Sequence, residues 1–199
     1  MLILVLGIVA FLTLHLIPTE PELRSGLIAR FGESAYKAVF SLLSLAAFAL
    51  IVLGYHKLQL HPGKNPVLWS PPLWLRHVSL ALMLASMILL AAAYIPSRIR
   101  TAVKHPMLAS VKVWALGHLL SNGDLGGMVL FTSFLAYAVY DRISVKKRQA
   151  LGPLGAAQGG LGGDIAVTVV GVARYVFMLY YGHALLIGKS PVAGLGMAP

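Results

Sequence analysis

The sequence contains no cysteine. Disulfides, thiolate-bound metals, iron–sulfur clusters, a cysteine nucleophile and a haem attached through thioethers are therefore all excluded. Charge is also scarce: 11% of the 199 residues are Asp, Glu, Lys or Arg, where a soluble domain approaches a quarter. The shortage is sharpest among the acids, which number six: Glu20, Glu22, Glu33, Asp124, Asp141 and Asp164. None of these is paired at a spacing suited to metal binding or acid–base chemistry. H-E-x-x-H, G-x-S-x-G and a phosphate-binding loop are missing, and the glycines at 159–163 do not follow a strand.

What the chain has in excess is apolar surface. It is 58% hydrophobic with a mean hydropathy of +0.82. This predicts an all-α, polytopic transmembrane helical bundle, with residues 1–199 forming a single integral membrane domain. About six apolar runs approach the length needed to cross a hydrocarbon core of about 30 Å. They are 2–17, 38–55, 77–95, 107–120, 126–140 and 165–187. The fourth and fifth are short and joined by SNGDLGG, which suggests a tight helical hairpin. Pro18 and Pro21 end the first run, Pro71 and Pro72 precede the third, and Pro96 and Pro106 bracket the connection before the fourth. Residues 152–163, GPLGAAQGGLGG, read as a flexible linker. The first run lacks a basic n-region and an A-x-A site and reads as a retained helix rather than a signal peptide.

The net charge of +10 resides mostly in short loops, where it sets topology and does not point to nucleic acid. Arg24, Arg30, Lys37, Arg98, Arg100, Lys104, Arg142, Lys146, Lys147 and Arg148 fall on one side of the expected bundle. Only Lys57, Lys64, Arg76 and Lys189 fall on the other. The positive-inside rule makes the first side cytoplasmic and puts both termini outside, in a bacterial inner (plasma) membrane. Such a face also implies generic contact with the anionic lipids of the bilayer. No internal repeat indicates an inverted-repeat transporter.

Chemistry then rests on seven histidines. His56 and His61 fall in a polar loop and read as solvated. His15, His77, His105, His118 and His183 lie in or beside apolar runs, where an ionisable group marks a functional site by default. His118 has Trp114 one turn before it and Asn122 one turn after, an aromatic and an amide suited to the wall of a cofactor pocket. His15 follows Phe11 and Gly7 on one helical stripe, and Gly7 would let a flat group approach closely. Several histidines in a small cysteine-free bundle suit ligation of a metal or a haem. His105 and His118 cannot share one ion on a straight helix, because thirteen residues separate them by about 20 Å. His118 needs a partner elsewhere, with His15 the first candidate, and His77 and His105 as alternatives. Arg174 sits deep in the last run, where it is expected to meet a haem propionate or Asp164. Lys112 is expected to snorkel to the surface.

The chain also resembles the NnrU proteins, a bacterial membrane family with relatives of the plant 15-cis-zeta-carotene isomerase. The resemblance runs through HLIP (15–18), GESAYKAVFSLLSLAAF (32–48) and LWSPPLWLRH (68–77). It is strongest from AYIPSRIRTAVKHPMLASVKVWALGHLLSNGD (93–124) to YDRISVKKR (140–148), and returns in GHALLIGKSPV (182–192). The resemblance implies a link to denitrification, the reduction of nitrite and nitric oxide. From the isomerase branch it implies haem b, held by the residues matching His15 and His118, and a functional role for His105. That branch also carries a cysteine just before its second ligand, where this chain has Ala115, Leu116 and Gly117, so exchange to a thiolate is unavailable here.

Three functions are therefore expected in competition. The first is a haem-b membrane protein serving nitrogen-oxide respiratory proteins. The second is a haem-dependent cis–trans isomerase of zeta-carotene or a similar hydrophobic polyene. The third is a cofactor-free assembly factor or permease.

Overall fold

A computed structural model describes residues 1–192. It is 79% helical, and the described residues contain one isolated β-bridge, Val67 with Asp124. The chain divides into two compact units, the first ending at Asn65 and the second beginning at Pro66.

The first unit holds α1 (Leu2–Leu16), a 3-10 turn at Ile17–Thr19, α2 (Pro21–Phe31) and α3 (Glu33–Leu60). Pro18 and Pro21 divide α1 from α2 as expected, and α2 ends at Gly32, whose φ of +82° suits glycine alone. The helix α2 lies outside the expected spans; its residues are polar enough that none is buried. α1 packs along α3 through reciprocal small residues. A Cβ on Gly7 would lie 2.7 Å from the Ile51 nitrogen, and one on Gly54 would lie 2.5 Å from the Leu4 nitrogen. Lipid offers no hydrophobic drive for helix pairing, so such close backbone approach supplies the attraction. Gly7 therefore admits α3, not a flat ligand.

The second unit contains α4 (Leu73–Ala92), α5 (Arg98–Val103), α6 (Pro106–Ser121), α7 (Leu125–Lys147) and α8 (Leu161–Phe177). A π-helical turn at Met178–Gly182 then leads into the short α9 (His183–Ile187). α4 is central, packing on both α6 and α8, and α6 packs on α7. Between α4 and α6 two buried serines bond reciprocally. Ser110 Oγ donates to the Ser86 carbonyl at 2.8 Å, and Ser86 Oγ lies 3.0 Å from both the Ser110 carbonyl and hydroxyl. Ser86→Ala is expected to lower stability by about 0.5–1.5 kcal/mol. Because the Ser110 bond survives that change, adding Ser110→Ala should cost a similar further amount. Unfolding in mixed micelles reads both, and an unchanged midpoint in the double variant would remove the serine pair from the account.

Five helical segments are long and apolar enough to cross a membrane. They are Leu2–Thr19, Glu33–Leu60, Leu73–Ala92, Leu125–Lys147 and Leu161–Ile187. The expected count of about six is not reached because the fourth run forms α6, a helix of 16 residues. At 1.5 Å per residue α6 is about 24 Å long, short of a full crossing. The α6–α7 hairpin is present. Its turn is pinned by Asp124, which caps α7 by accepting the Gly127 amide at 2.8 Å. The Leu68 amide also donates to the Gly123 carbonyl at 2.7 Å. A Cβ on Gly123 would collide with the Trp69 carbonyl, so the close approach requires glycine.

The expected flexible linker is tied down instead. The buried Arg100 guanidinium donates to the carbonyls of Gly155 and Ala157, and Gly159 and Gly163 have no room for a Cβ against Pro96. Asp164 accepts the Arg98 and Ile99 amides and pairs with the Arg98 side chain at 2.6 Å. Glycine here permits contact with the backbone of another segment, and the residues 161–163 already belong to α8.

Candidate functional site

Three elements of the second unit enclose a cavity of about 300 Å³. α6 contributes Trp114 and His118, with Asn122 just beyond its end. α4 contributes Met83 and Met87 below Arg76 and Ser79. The end of α8 and the π-turn supply Tyr175, Met178 and Leu179, followed by His183 and Lys189. The walls are largely apolar, with a few convergent polar groups, the common character of a small-molecule site.

His118 is held in a single tautomer. Its Nδ1–H donates to the Trp114 carbonyl one turn back at 2.9 Å, so Nε2 carries the lone pair. A backbone-anchored Nδ1–H is the usual support of a metal-ligating imidazole. The ring is fixed by aromatic packing, with Phe131 stacked on it at 4.4 Å between centroids. Trp114 in turn packs edge-on against Phe131 and Phe134 at 5.0 and 5.7 Å. Asn122 closes the helix by donating its side-chain amide to the His118 carbonyl at 2.9 Å.

Facing His118 is His183. The two ring centroids are 6.0 Å apart and the planes are 10° from parallel. This is too far for direct ring contact, yet near the ring separation of two imidazoles that share one metal through bonds of roughly 2 Å. His183 Nδ1 is buried without a hydrogen-bond partner among the described residues; the Lys189 backbone is the polar group that acts on the ring. A buried unsatisfied nitrogen calls for an explanation, such as an absent ion or ligand. The π-turn sets this placement. The His183 amide donates to the Met178 carbonyl, five residues back, so one extra residue enters the turn. Such insertions recur at functional sites.

The remaining expected site residues lie elsewhere. His15 belongs to the first unit, where it stacks on Phe11 at 3.9 Å and donates from Nδ1 to the Phe11 carbonyl at 2.8 Å. His77 is exposed and does not line the cavity. His105 lines a different, basic cavity. Arg174 is exposed and lines neither cavity. The pairing expected of it with Asp164 is taken by Arg98, whose segment lies beside the start of α8. The described residues contain no group of three or more His, Cys, Asp or Glu that could hold a metal ion alone.

The donor set fits a haem-type group better than a bare ion. Two facing imidazoles are the usual axial pair of a cofactor that supplies its own equatorial ligands, and Arg76 and Lys189 are cations suited to carboxylate side groups. The cavity stands at the low end of the range for ligand sites, roughly 300–1,000 Å³, so a macrocycle would reach past its rim.

Comparison with known proteins adds one match. The sequence model of a family described as NnrU protein matches residues 3–191. No curated protein and no solved structure matches the chain.

Proposed function

The chain belongs to the NnrU family, and from that membership and the cavity we propose a membrane protein that binds haem b at His118 and serves the reduction of nitrite and nitric oxide. The observation that carries the haem is the opposition of His118 and His183 across an apolar cavity. The role in denitrification rests on the family. Bound haem supplies one-electron exchange and affinity for small nitrogen oxides.

The chain's own residues perform the holding. Trp114 fixes the His118 tautomer through its carbonyl, Phe131 fixes the ring plane, and Met83 and Met87 exclude water from the same wall. His118 is the first ligand of this reading. Two residues compete for the second: His15, by resemblance, and His183, by its place in the same cavity. The protein sits in the bacterial inner membrane with its basic loops on the cytoplasmic side.

An absorption spectrum of protein purified in mild detergent from haem-replete cells tests the reading. A Soret band that moves on reduction with dithionite is expected, and its absence would sink the haem reading. Isomerisation of a polyene is the second reading, favoured by the apolar wall of Leu80, Met83, Met87 and Leu179. It requires conversion of tri-cis to di-cis zeta-carotene by the reduced protein, and the absence of a thiolate near His118 weighs against it.

A further inference from the structure

A second cavity, of about 500 Å³, lies apart from the first and is lined by Arg100, Lys104, His105, Arg142 and Lys146. It draws these side chains from three places: α5, the junction before α6, and the last third of α7. We propose that this cavity is a binding site for a phosphate-bearing anion.

The positive-inside rule accounts for basic residues in these loops. It does not account for their convergence on one concavity with no carboxylate on its wall. The acids of the second unit are committed elsewhere. Asp124 caps α7, Asp141 pairs with Arg148 at 3.4 Å, and Asp164 pairs with Arg98 at 2.6 Å. Like charges brought together without counter-charge are costly unless an anion joins them.

The local backbone is shaped to hold the arrangement. Lys104 has φ +65° and ψ −47°, and the His105 amide bonds the Val103 carbonyl at 2.8 Å. This is a γ-turn of the positive-φ kind, a rare and strained conformation. Strain of this kind persists only where the surroundings over-determine it, and it gathers at ligand clamps. The turn puts Lys104 and His105 at the start of α6, where the helix presents amides without intrahelical partners and the positive end of its dipole. His105 caps that helix without a side-chain bond to it. Arg100 anchors the opposite wall through its bonds to Gly155 and Ala157.

The shared chemistry is a phosphate group, and two sources carry it: the headgroup of an anionic phospholipid, or a soluble phosphate compound. Basic clefts between helices at the membrane surface suit the first, and forked guanidinium donors suit either.

The experiment uses the full chain in nanodiscs of phosphatidylcholine. One arm titrates inorganic pyrophosphate; the other exchanges in phosphatidylglycerol at fixed total lipid. Thermal unfolding and, for pyrophosphate, calorimetry read the binding. The variant Arg142→Gln with Lys146→Gln removes two lining charges. Lys147→Gln removes an exposed charge next door that does not line the cavity. The double variant is expected to weaken binding by about ten- to thirtyfold, and Lys147→Gln by less than about threefold. Response to pyrophosphate alone assigns a soluble ligand, and response to phosphatidylglycerol alone assigns a lipid headgroup. No response to either, or equal losses from Lys146→Gln and Lys147→Gln, overturns the site.

Proton linkage gives a second readout in the lipid arm. Burial, then the Arg142 guanidinium, hold His105 below the ordinary imidazole range. Asp141 opposes this and Arg100 and Lys104 add to it. An anion in the cavity cancels the repulsion from these cations, so the His105 ring signal should titrate at higher pH in discs containing phosphatidylglycerol. A titration that does not move there, in discs where the lipid stabilises the protein, would place the lipid elsewhere.

Discussion

Purified His118→Ala is expected to retain at most about a tenth of the haem bound by the unsubstituted chain, since even supporting changes around a metal ligand cost 10–100-fold. The reason is local. His118 is the cavity imidazole whose Nδ1 is tied to backbone at 2.9 Å, which makes Nε2 its ligating atom. The two candidate partners then separate by spectrum. If His183 is the second ligand, His183→Ala converts a six-coordinate low-spin spectrum to a five-coordinate high-spin one, and added imidazole restores the original. His15→Ala then leaves the spectrum as it was. If His15 is the second ligand, the two variants exchange behaviour. His118→Ala retaining full haem with an unaltered spectrum would remove the cavity from the haem reading altogether. A loss confined to His118→Ala would instead mean a haem with one protein ligand.

Much of this site was legible in the sequence, and the residue that was missed has a physical reason. Trp114, His118 and Asn122 follow α-helical spacing, so reading them as one wall needed only the 3.6-residue period. His183 breaks that period. On a regular helix Tyr175 and Leu179 share a stripe with Gly182, and His183 falls beside it. The π-turn at Met178–Gly182 adds one residue and carries His183 onto the stripe. Only the run of Gly182 and His183 near a helix end hints at this in the sequence.

The spans were legible by hydropathy, but α6 was not separable from a crossing, because apolarity reports environment and length reports span. The glycines at 159–163 were misread for a related reason. A glycine-rich stretch can be flexible or can admit close backbone contact, and only the position of Pro96 decides between them. The basic cavity was visible as loop charge and invisible as a cavity, because convergence depends on the strained turn at Lys104.

Gly171→Ala is expected to destabilise the second unit by about 1–3 kcal/mol, the usual cost of overpacking, and Gly171→Leu by more. A Cβ on Gly171 would stand 2.6 Å from the Cα of Ile88 and 2.7 Å from its Cγ1. The side-chain atom can rotate away, but the Cα belongs to the backbone of α4, so the two helices must part. Van der Waals contact is what holds helices together in lipid, and a small separation forfeits much of it. Gly162→Ala is the matched control. It changes the same atoms in the same helix, at a position where nothing lies within 4 Å of the added Cβ. There the lower backbone entropy of alanine in the unfolded chain makes the change neutral or stabilising, by up to about 1 kcal/mol. The two substitutions therefore differ in sign, which unfolding in mixed micelles resolves without an absolute stability. The effect should also reach the cavity. α4 and α8 both wall it, so a wedge at Gly171 moves Met83 and Met87 away from His183. Cofactor retention in Gly171→Leu should fall even at temperatures where the variant remains folded. Equal midpoints for Gly171→Ala and Gly162→Ala would mean that α4 and α8 are not held at backbone contact, and the cavity they enclose would lose its wall.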